Sequence, residues 1–146
     1  MMDNQNISQI LAIMVTDIVS YTETMNRDEQ KAWDYIKKQR DIIPSIVSQM
    51  NGHMFKEMGD GTYSKFKSAI DAVQCAVRIN NEAIKQDLPI KIGVHLGEVK
   101  DDGRDVIGTG VNIADRINSL ATSNKIIISD DVWRQIRNQS EMEGKS

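Results

Sequence analysis

The sequence is poor in the residues and segments that mark several classes of protein. It has a single cysteine, Cys75, which excludes an intramolecular disulfide framework and suits a reducing compartment. The 18 Lys and Arg residues do not outnumber the 21 Asp and Glu residues, so no basic surface predicts a nucleic-acid partner. No apolar run has the length of a membrane span, and "MMDNQNISQ" lacks the pattern of a signal peptide. These absences favour a cytoplasmic protein with no membrane segment in this chain.

The remaining composition is that of an ordinary globular protein. Hydrophobic residues make up 40% of the chain and charged residues 27%. A length of 146 residues is typical of one domain with a sizeable core. We therefore predict a single domain over residues 1–146 with its core at about 9–138. The tail 139–146, "QSEMEGKS", has no pattern, and we expect it to be disordered or truncated.

Hydrophobic periodicity predicts an α+β fold. The predicted order is a buried strand over 9–16, a helix within 26–52, a hairpin over 55–66, a helix over 68–86 and a strand over 89–99. This βαββαβ order is that of a ferredoxin-like core, one antiparallel sheet with helices on one face. A helix over 109–121, a short buried strand over 125–129 and a helix over 130–138 follow. In the helix 68–86 we expect an apolar stripe of Ile70, Val73, Val77 and Ile84, with Cys75 as a buried structural thiol.

Two aspartates stand out against this scaffold. Asp17 ends an apolar strand, and Asp60 lies at the tip of the hairpin. In the predicted topology the first strand lies beside the hairpin, so the two carboxylates would converge and repel each other without a cation between them. Oxygen ligands without His or Cys favour Mg²⁺ or Mn²⁺ over zinc. The alternative is that Asp17 caps the following segment and Asp60 is a turn residue.

A third feature is the Gly-rich entry to the helix over 109–121. Asn112 and Arg116 are four residues apart and share one face of that helix. Such a pair can hold phosphate or developing anionic charge. The alternative is a solvated helix face.

Four segments together resemble the successive signatures of class III adenylate/guanylate cyclase catalytic domains. They are "MVTDIVSYT", "KEMGDGTYSKF", "IGVHLGEV" and "DVIGTGVNIADRI", and their order and intervals also match. The resemblance covers about Leu11 to Asn138. The hairpin that follows the last helix in that family is apparently absent, since the chain ends at Ser146.

The resemblance implies a set of functional residues and a two-metal reaction on a nucleoside triphosphate. Two Mg²⁺ or Mn²⁺ ions per site would be bound by Asp17, Asp60 and the backbone carbonyl of Ile18. Backbone N–H groups of Tyr21 and Thr22 would contact the triphosphate. The family usually has Gly where this chain has Ser20, and a positive φ there would cost Ser a modest strain. Asn112 and Arg116 would stabilise the transition state.

The resemblance also implies a substrate and an assembly. Lys56 and Asp105 would read the purine: a lysine donor and a carboxylate acceptor complement the N1 and N6 edge of adenine, which favours ATP. Without the resemblance, Lys56 would be an ordinary surface-strand lysine. The family shares its sites between chains, which implies a homodimer. Two alternatives stay open: a catalytically weak or inactive nucleotide-binding or regulatory domain, and a diguanylate cyclase, which the hairpin tip Met58-Gly59-Asp60-Gly61 disfavours.

Overall fold

The computed structural model describes residues 8–142, with side chains up to Asn138. Its elements are β1 (Ser8–Ile18), α1 (Tyr21–Arg27), α2 (Glu29–Gln49), β2 (Gly52–Met58), β3 (Gly61–Phe66), α3 (Ala69–Lys85), β4 (Ile90–Asp101), β5 (Val106–Ile107), α4 (Thr109–Leu120), β6 (Ile126–Ile128) and α5 (Asp130–Met142). The predicted α+β class and the βαββαβ order of the core are confirmed.

The sheet has the strand order β2-β3-β1-β4-β5, and β6 also pairs with β4. The pairs along that order are antiparallel, but β6 runs parallel to β4. The antiparallel sheet predicted for the βαββαβ core is therefore confirmed for β1 to β4, and the parallel strand β6 is an addition outside that core. The chain returns from β5 to β6 through α4, and such a helical crossover is what allows strands to lie parallel.

β1 is the central strand and is buried on both faces. Ala12, Met14 and Ile18 belong to the core beneath α2, α3 and α5. Ile13 and Val15 belong to a second core beneath α4. The helices of the predicted core, α2 and α3, lie on one face as expected, and α4, which follows that core in the chain, covers the other face. Because both faces are covered, β1 is a continuous apolar run that ends at the polar residues Thr16 and Asp17.

The helix α3 buries a different face from the predicted one. Val77 and Ile84 are 45% and 52% exposed. The buried side chains are mostly small: Ala69, Ala72, Cys75, Ala76, Ile79 and Ala83. Small residues let the helix axis approach the sheet closely, whereas the larger aliphatic side chains lie at its flank. Burial raises the pKa of the Cys75 thiol to about 12, which confirms its predicted structural role.

Several boundaries differ from the predicted ones. α1 was not expected as a separate helix. α2 begins after Asp28, whose side chain accepts the N–H of Lys31 at 3.1 Å, and it continues past Pro44. α5 extends to Met142, so the expected patternless tail begins within a helix. Residues 143–146 and 1–7 lie outside the described residues, and the single domain over 1–146 stays a prediction. No helix within residues 8–142 is long and apolar enough to cross a bilayer.

Candidate active site

The structure brings Asp17 and Asp60 together. Asp17 pairs with Gly61 at the end of β1, and the N–H of Ile18 donates to the Asp60 carbonyl at 3.2 Å. Gly59, with φ +56°, and Asp60 form the turn between β2 and β3. Burial first, and then the adjacent Asp60 carboxyl, raise the pKa of Asp17 to about 7, against the lowering effect of Lys91. The predicted convergence of the two carboxylates is therefore confirmed.

The chemistry of this pair fits a hard divalent cation. The two groups are oxygen donors, and within residues 8–142 no third Asp, Glu, His or Cys joins them in a potential metal cluster. Mg²⁺ is commonly held by one or two carboxylates, with water and substrate phosphate completing its octahedral shell. A cation here would also relieve the repulsion that two half-buried carboxylates impose on each other.

The segment after β1 turns sharply at Ser20. Ser20 has φ 55° and ψ 36°, a left-handed conformation in which glycine is the least strained residue. Tyr21 and Thr22 are the first two residues of α1. They therefore lie in the first turn of a seven-residue helix and not in an open loop. The N–H groups of a first helical turn have no partner within the helix.

The helix α4 lies tightly against β4 because a glycine of each element meets the backbone of the other. A Cβ on Gly93 would lie 2.5 Å from the backbone nitrogen of Asn118, and one on Gly110 would lie 2.8 Å from the carbonyl oxygen of Glu98. Asn118 is buried, and its Nδ2 donates to the carbonyls of Val15 at 3.0 Å and Lys91 at 3.1 Å. These contacts fix α4 over the ends of β1 and β4.

Asn112 and Arg116 share the exposed face of α4, as predicted. They border a groove of about 390 Å³ whose other wall includes Asp17 and Lys91. Asp17 of the carboxylate pair thus lies on the same groove as Asn112 and Arg116, and Asp60 lines the adjacent cavity.

Lys56 and Asp105 are not brought together in the protomer. Lys56 lies exposed on β2, and Asp105 lies exposed before β5, so their strands are at the two ends of the strand order. The N–H of Val106 donates to Asp105 at 2.8 Å, and the N–H of Asp105 donates to Asp102 at 2.8 Å. Their predicted role in base recognition stays a prediction.

Three residues near the site were missed from the sequence. Lys91 faces Asp17 across the β1–β4 register. Tyr63 and Asp115 line a cavity of about 200 Å³ together with Asp17 and Asp60. Tyr63 and Asp115 stand inside two of the segments that carry the resemblance, but only the register and the packing of α4 show that they meet.

Other prominent groups lie away from this site. His95 is buried, and its Nδ1 is 2.9 Å from the Ser129 hydroxyl at the start of α5, so it has a structural contact away from the carboxylate pair. A cavity of about 640 Å³ lies at the other end of β1 and is lined in part by Gln9, Lys65 and Asp101. It contains none of the predicted site residues.

Comparisons with known proteins identify the family of this chain. Residues 2–146 match the family described as the adenylate and guanylate cyclase catalytic domain. The chain is 31% identical over 144 residues to "Putative adenylate cyclase 3" of Rhizobium meliloti; the match covers 92% of this chain but only 24% of that protein. It thus spans about a quarter of that relative's length.

Solved structures show the same fold. An adenylate/guanylate cyclase/hydrolase from Silicibacter pomeroyi superposes with a TM-score of 0.83 at 25% identity, over 91% of this chain and 83% of that one. The guanylyl cyclase Cya2 superposes with a TM-score of 0.79 at 22% identity, over 89% and 79% of the two chains. With the paired carboxylates, the Asn–Arg helix and the family match over nearly its whole length, this chain belongs to the adenylate/guanylate cyclase catalytic domain family.

Proposed function

We propose that this domain is an adenylate cyclase that converts ATP to 3′,5′-cyclic AMP and pyrophosphate. The observation that carries the proposal is the meeting of the Asp17 and Asp60 carboxylates beside a groove that Asp17 shares with Asn112 and Arg116. Carboxylates that hold divalent cations and a guanidinium that meets phosphate charge are the two requirements of phosphoryl transfer. A nucleoside triphosphate substrate and a single cysteine both favour the cytoplasm as its location.

The roles of the residues follow from their chemistry. Asp17 and Asp60, with the Ile18 carbonyl, would bind two Mg²⁺ or Mn²⁺ ions. When bound, these ions supply a lowered pKa for the ribose 3′-hydroxyl and neutralise triphosphate charge. The 3′-oxygen would form its bond to the α-phosphorus, and the bond from that phosphorus to the β-phosphate oxygen would break. The hydroxyl proton would leave to solvent.

Residues of α1 and α4 would orient the reacting groups. Asn112 would hold the ribose, and Arg116 would meet the negative charge that develops on the α-phosphate. The N–H groups of Tyr21 and Thr22 would contact the triphosphate. Asn112 and Arg116 are exposed on α4, and we propose that they serve a homodimer with two equivalent sites.

The choice of ATP rests on Lys56 and Asp105. A lysine donor and a carboxylate acceptor match the N1 and N6 positions of adenine, whereas guanine presents O6 as an acceptor and N1–H as a donor. A mismatched base would leave these polar groups unpaired, which is how such pockets reject the wrong substrate. The comparisons include adenylate and guanylyl cyclases alike, so the base preference needs a direct measurement.

The test measures kcat/KM for ATP and for GTP with Mn²⁺. We expect turnover of ATP to cyclic AMP by the wild-type domain. The double variant Lys56→Glu with Asp105→Cys should lower the ATP-to-GTP preference by about 10- to 100-fold. Lys67→Glu, an exposed lysine just beyond β3, is the matched control and should leave the ratio unchanged. An unaltered ratio in the double variant would show that the base is read elsewhere, and binding of ATP without turnover would favour a regulatory domain.

A further inference from the structure

Tyr63 lies at a junction between the hairpin and the helix α4. It sits on β3, half-buried, opposite Val15 on one side and Lys56 on the other. Its hydroxyl donates to Oδ1 of Asp115 on α4 at 3.1 Å. The ammonium of Lys56 lies 5.6 Å from the centre of the Tyr63 ring, within the range of a cation–π contact. One side chain therefore touches both the strand that carries Lys56 and the helix that carries Arg116.

The position of Asp115 explains why this contact matters. Asp115 lines the cavity that contains Asp17 and Asp60, and it also borders the groove that contains Asn112 and Arg116. It precedes Arg116 directly in the chain. A displacement of Asp115 would therefore displace the guanidinium that we assign to the transition state.

The hydroxyl of Tyr63 keeps its proton and therefore remains a hydrogen-bond donor. Burial, followed by the nearby Asp115 carboxylate, raises the pKa of Tyr63 to about 12, so the phenol keeps its proton throughout the range in which the protein can be assayed. A hydrogen bond from a neutral hydroxyl to a carboxylate is charge-assisted and stronger than one between neutral groups.

We propose that Tyr63 and Asp115 are positioning residues: the ring holds the Lys56 ammonium for base selection, and the hydroxyl holds Asp115, and with it Arg116, for turnover. This inference rests on the proposed function and adds to it a coupling between base recognition and the catalytic helix. Because the ring and the hydroxyl of Tyr63 have different roles, substitutions can remove the hydroxyl alone or both groups.

The experiment compares four variants by kcat, KM and the ATP-to-GTP ratio in Mn²⁺. Tyr63→Phe keeps the ring and removes the hydroxyl, so kcat should fall about 10-fold while the ratio stays unchanged. Tyr63→Leu removes both groups, so kcat and the ratio should both fall. Asp115→Asn keeps a carbonyl acceptor and should retain more kcat than Asp115→Ala.

The chain provides a close control. Tyr35 on α2 is also partly buried and also carries a lysine over its ring, with Lys31 Nζ 5.9 Å from the centroid, but it packs against the core on the other face of the sheet. Tyr35→Phe should leave kcat and the ratio unchanged. Thermal unfolding of each variant shows whether a lost activity reflects a lost fold, and Tyr63→Phe, which removes one oxygen, is the least disruptive of the set.

The possible outcomes distinguish a failure of the positioning role from a failure of the proposed cyclase activity. A wild-type domain that turns over neither ATP nor GTP refutes the proposed function and the positioning role with it. An active wild type whose Tyr63→Phe and Asp115→Ala variants match it in kcat refutes the positioning role alone. If Asp115→Asn loses turnover and also the rise in melting temperature that Mn²⁺ gives the wild type, as expected of Asp17→Asn, Asp115 is a metal ligand and the positioning role is overturned.

Discussion

Asn118 and Asn112 lie on the same helix, and their replacement by alanine should have opposite consequences. Asn118 is 4% exposed and donates two hydrogen bonds, of 3.0 and 3.1 Å, to the carbonyls of Val15 and Lys91. Each such bond contributes about 0.5–1.5 kcal/mol net, so Asn118→Ala should lower the free energy of unfolding by about 1–3 kcal/mol. Asn112 is exposed, and Asn112→Ala should change that free energy by less than about 0.5 kcal/mol.

The two variants are distinguished by unfolding in urea, followed by far-ultraviolet circular dichroism, together with a cyclase assay. Asn118→Ala should unfold at a lower urea concentration with an unchanged slope, because the surface exposed on unfolding stays the same. Asn112→Ala should unfold like the wild type and lose its activity. The reasoning fails if Asn118→Ala unfolds with the wild-type midpoint, or if Asn112→Ala is the destabilised variant.

Three further changes test the metal site, the assembly and the core. Asp17→Asn and Asp60→Asn should each abolish turnover and the rise in melting temperature that Mn²⁺ gives the wild type; near-wild-type turnover in either variant would contradict the metal assignment. An equal mixture of inactive Asp17→Ala and inactive Arg116→Ala subunits should recover about a quarter of wild-type activity, since half of the dimers hold one intact site of two; no recovery despite subunit exchange would mean that each chain completes its own site. Gln39 is buried, and its amide has no hydrogen-bond partner among the described residues. Gln39→Met should therefore raise the free energy of unfolding by about 1–3 kcal/mol. A lower free energy of unfolding would show that the Gln39 amide has hydrogen-bond partners.

The sequence was sufficient for the order of the core elements, but it did not predict the short elements α1 and β5 or some of the packing. Long periodic segments and the hairpin tip Met58-Gly59-Asp60-Gly61 predicted the core correctly, because periodicity and turn chemistry are local properties. The predicted face of α3 was wrong at Val77 and Ile84 because the alanines one position before the predicted stripe follow the same helical spacing. The helix instead presents its alanines to the sheet. The position of α4 depends on Gly93 and Gly110 meeting backbone, which no periodicity shows.

The same distinction applies to the site. The proximity of Asp17 and Asp60 was predictable, because Asp17 lies near the end of β1 and Asp60 directly precedes β3, its neighbour in the predicted topology. The contact between Tyr63 and Asp115 joins residues 52 positions apart and depends on where α4 crosses the sheet. Lys56 and Asp105 were predicted as a pair because their side chains complement the edge of adenine. That complementarity requires each residue to contact the base and does not require the two residues to contact each other.

The central place of β1 has a consequence for how the chain folds. Its hydrogen-bonding partners, β3 and β4, are made much later during synthesis, and Ser8 finds its partner only when Lys100 is available. Until then the uncharged run from Ile10 to Thr16 is an unpaired strand with the apolar, strand-forming character that drives intermolecular β-pairing. The same strand has no free edge in the native sheet. The domain should therefore refold best at low protein concentration, and aggregation should compete with folding before β4 is in place, not after.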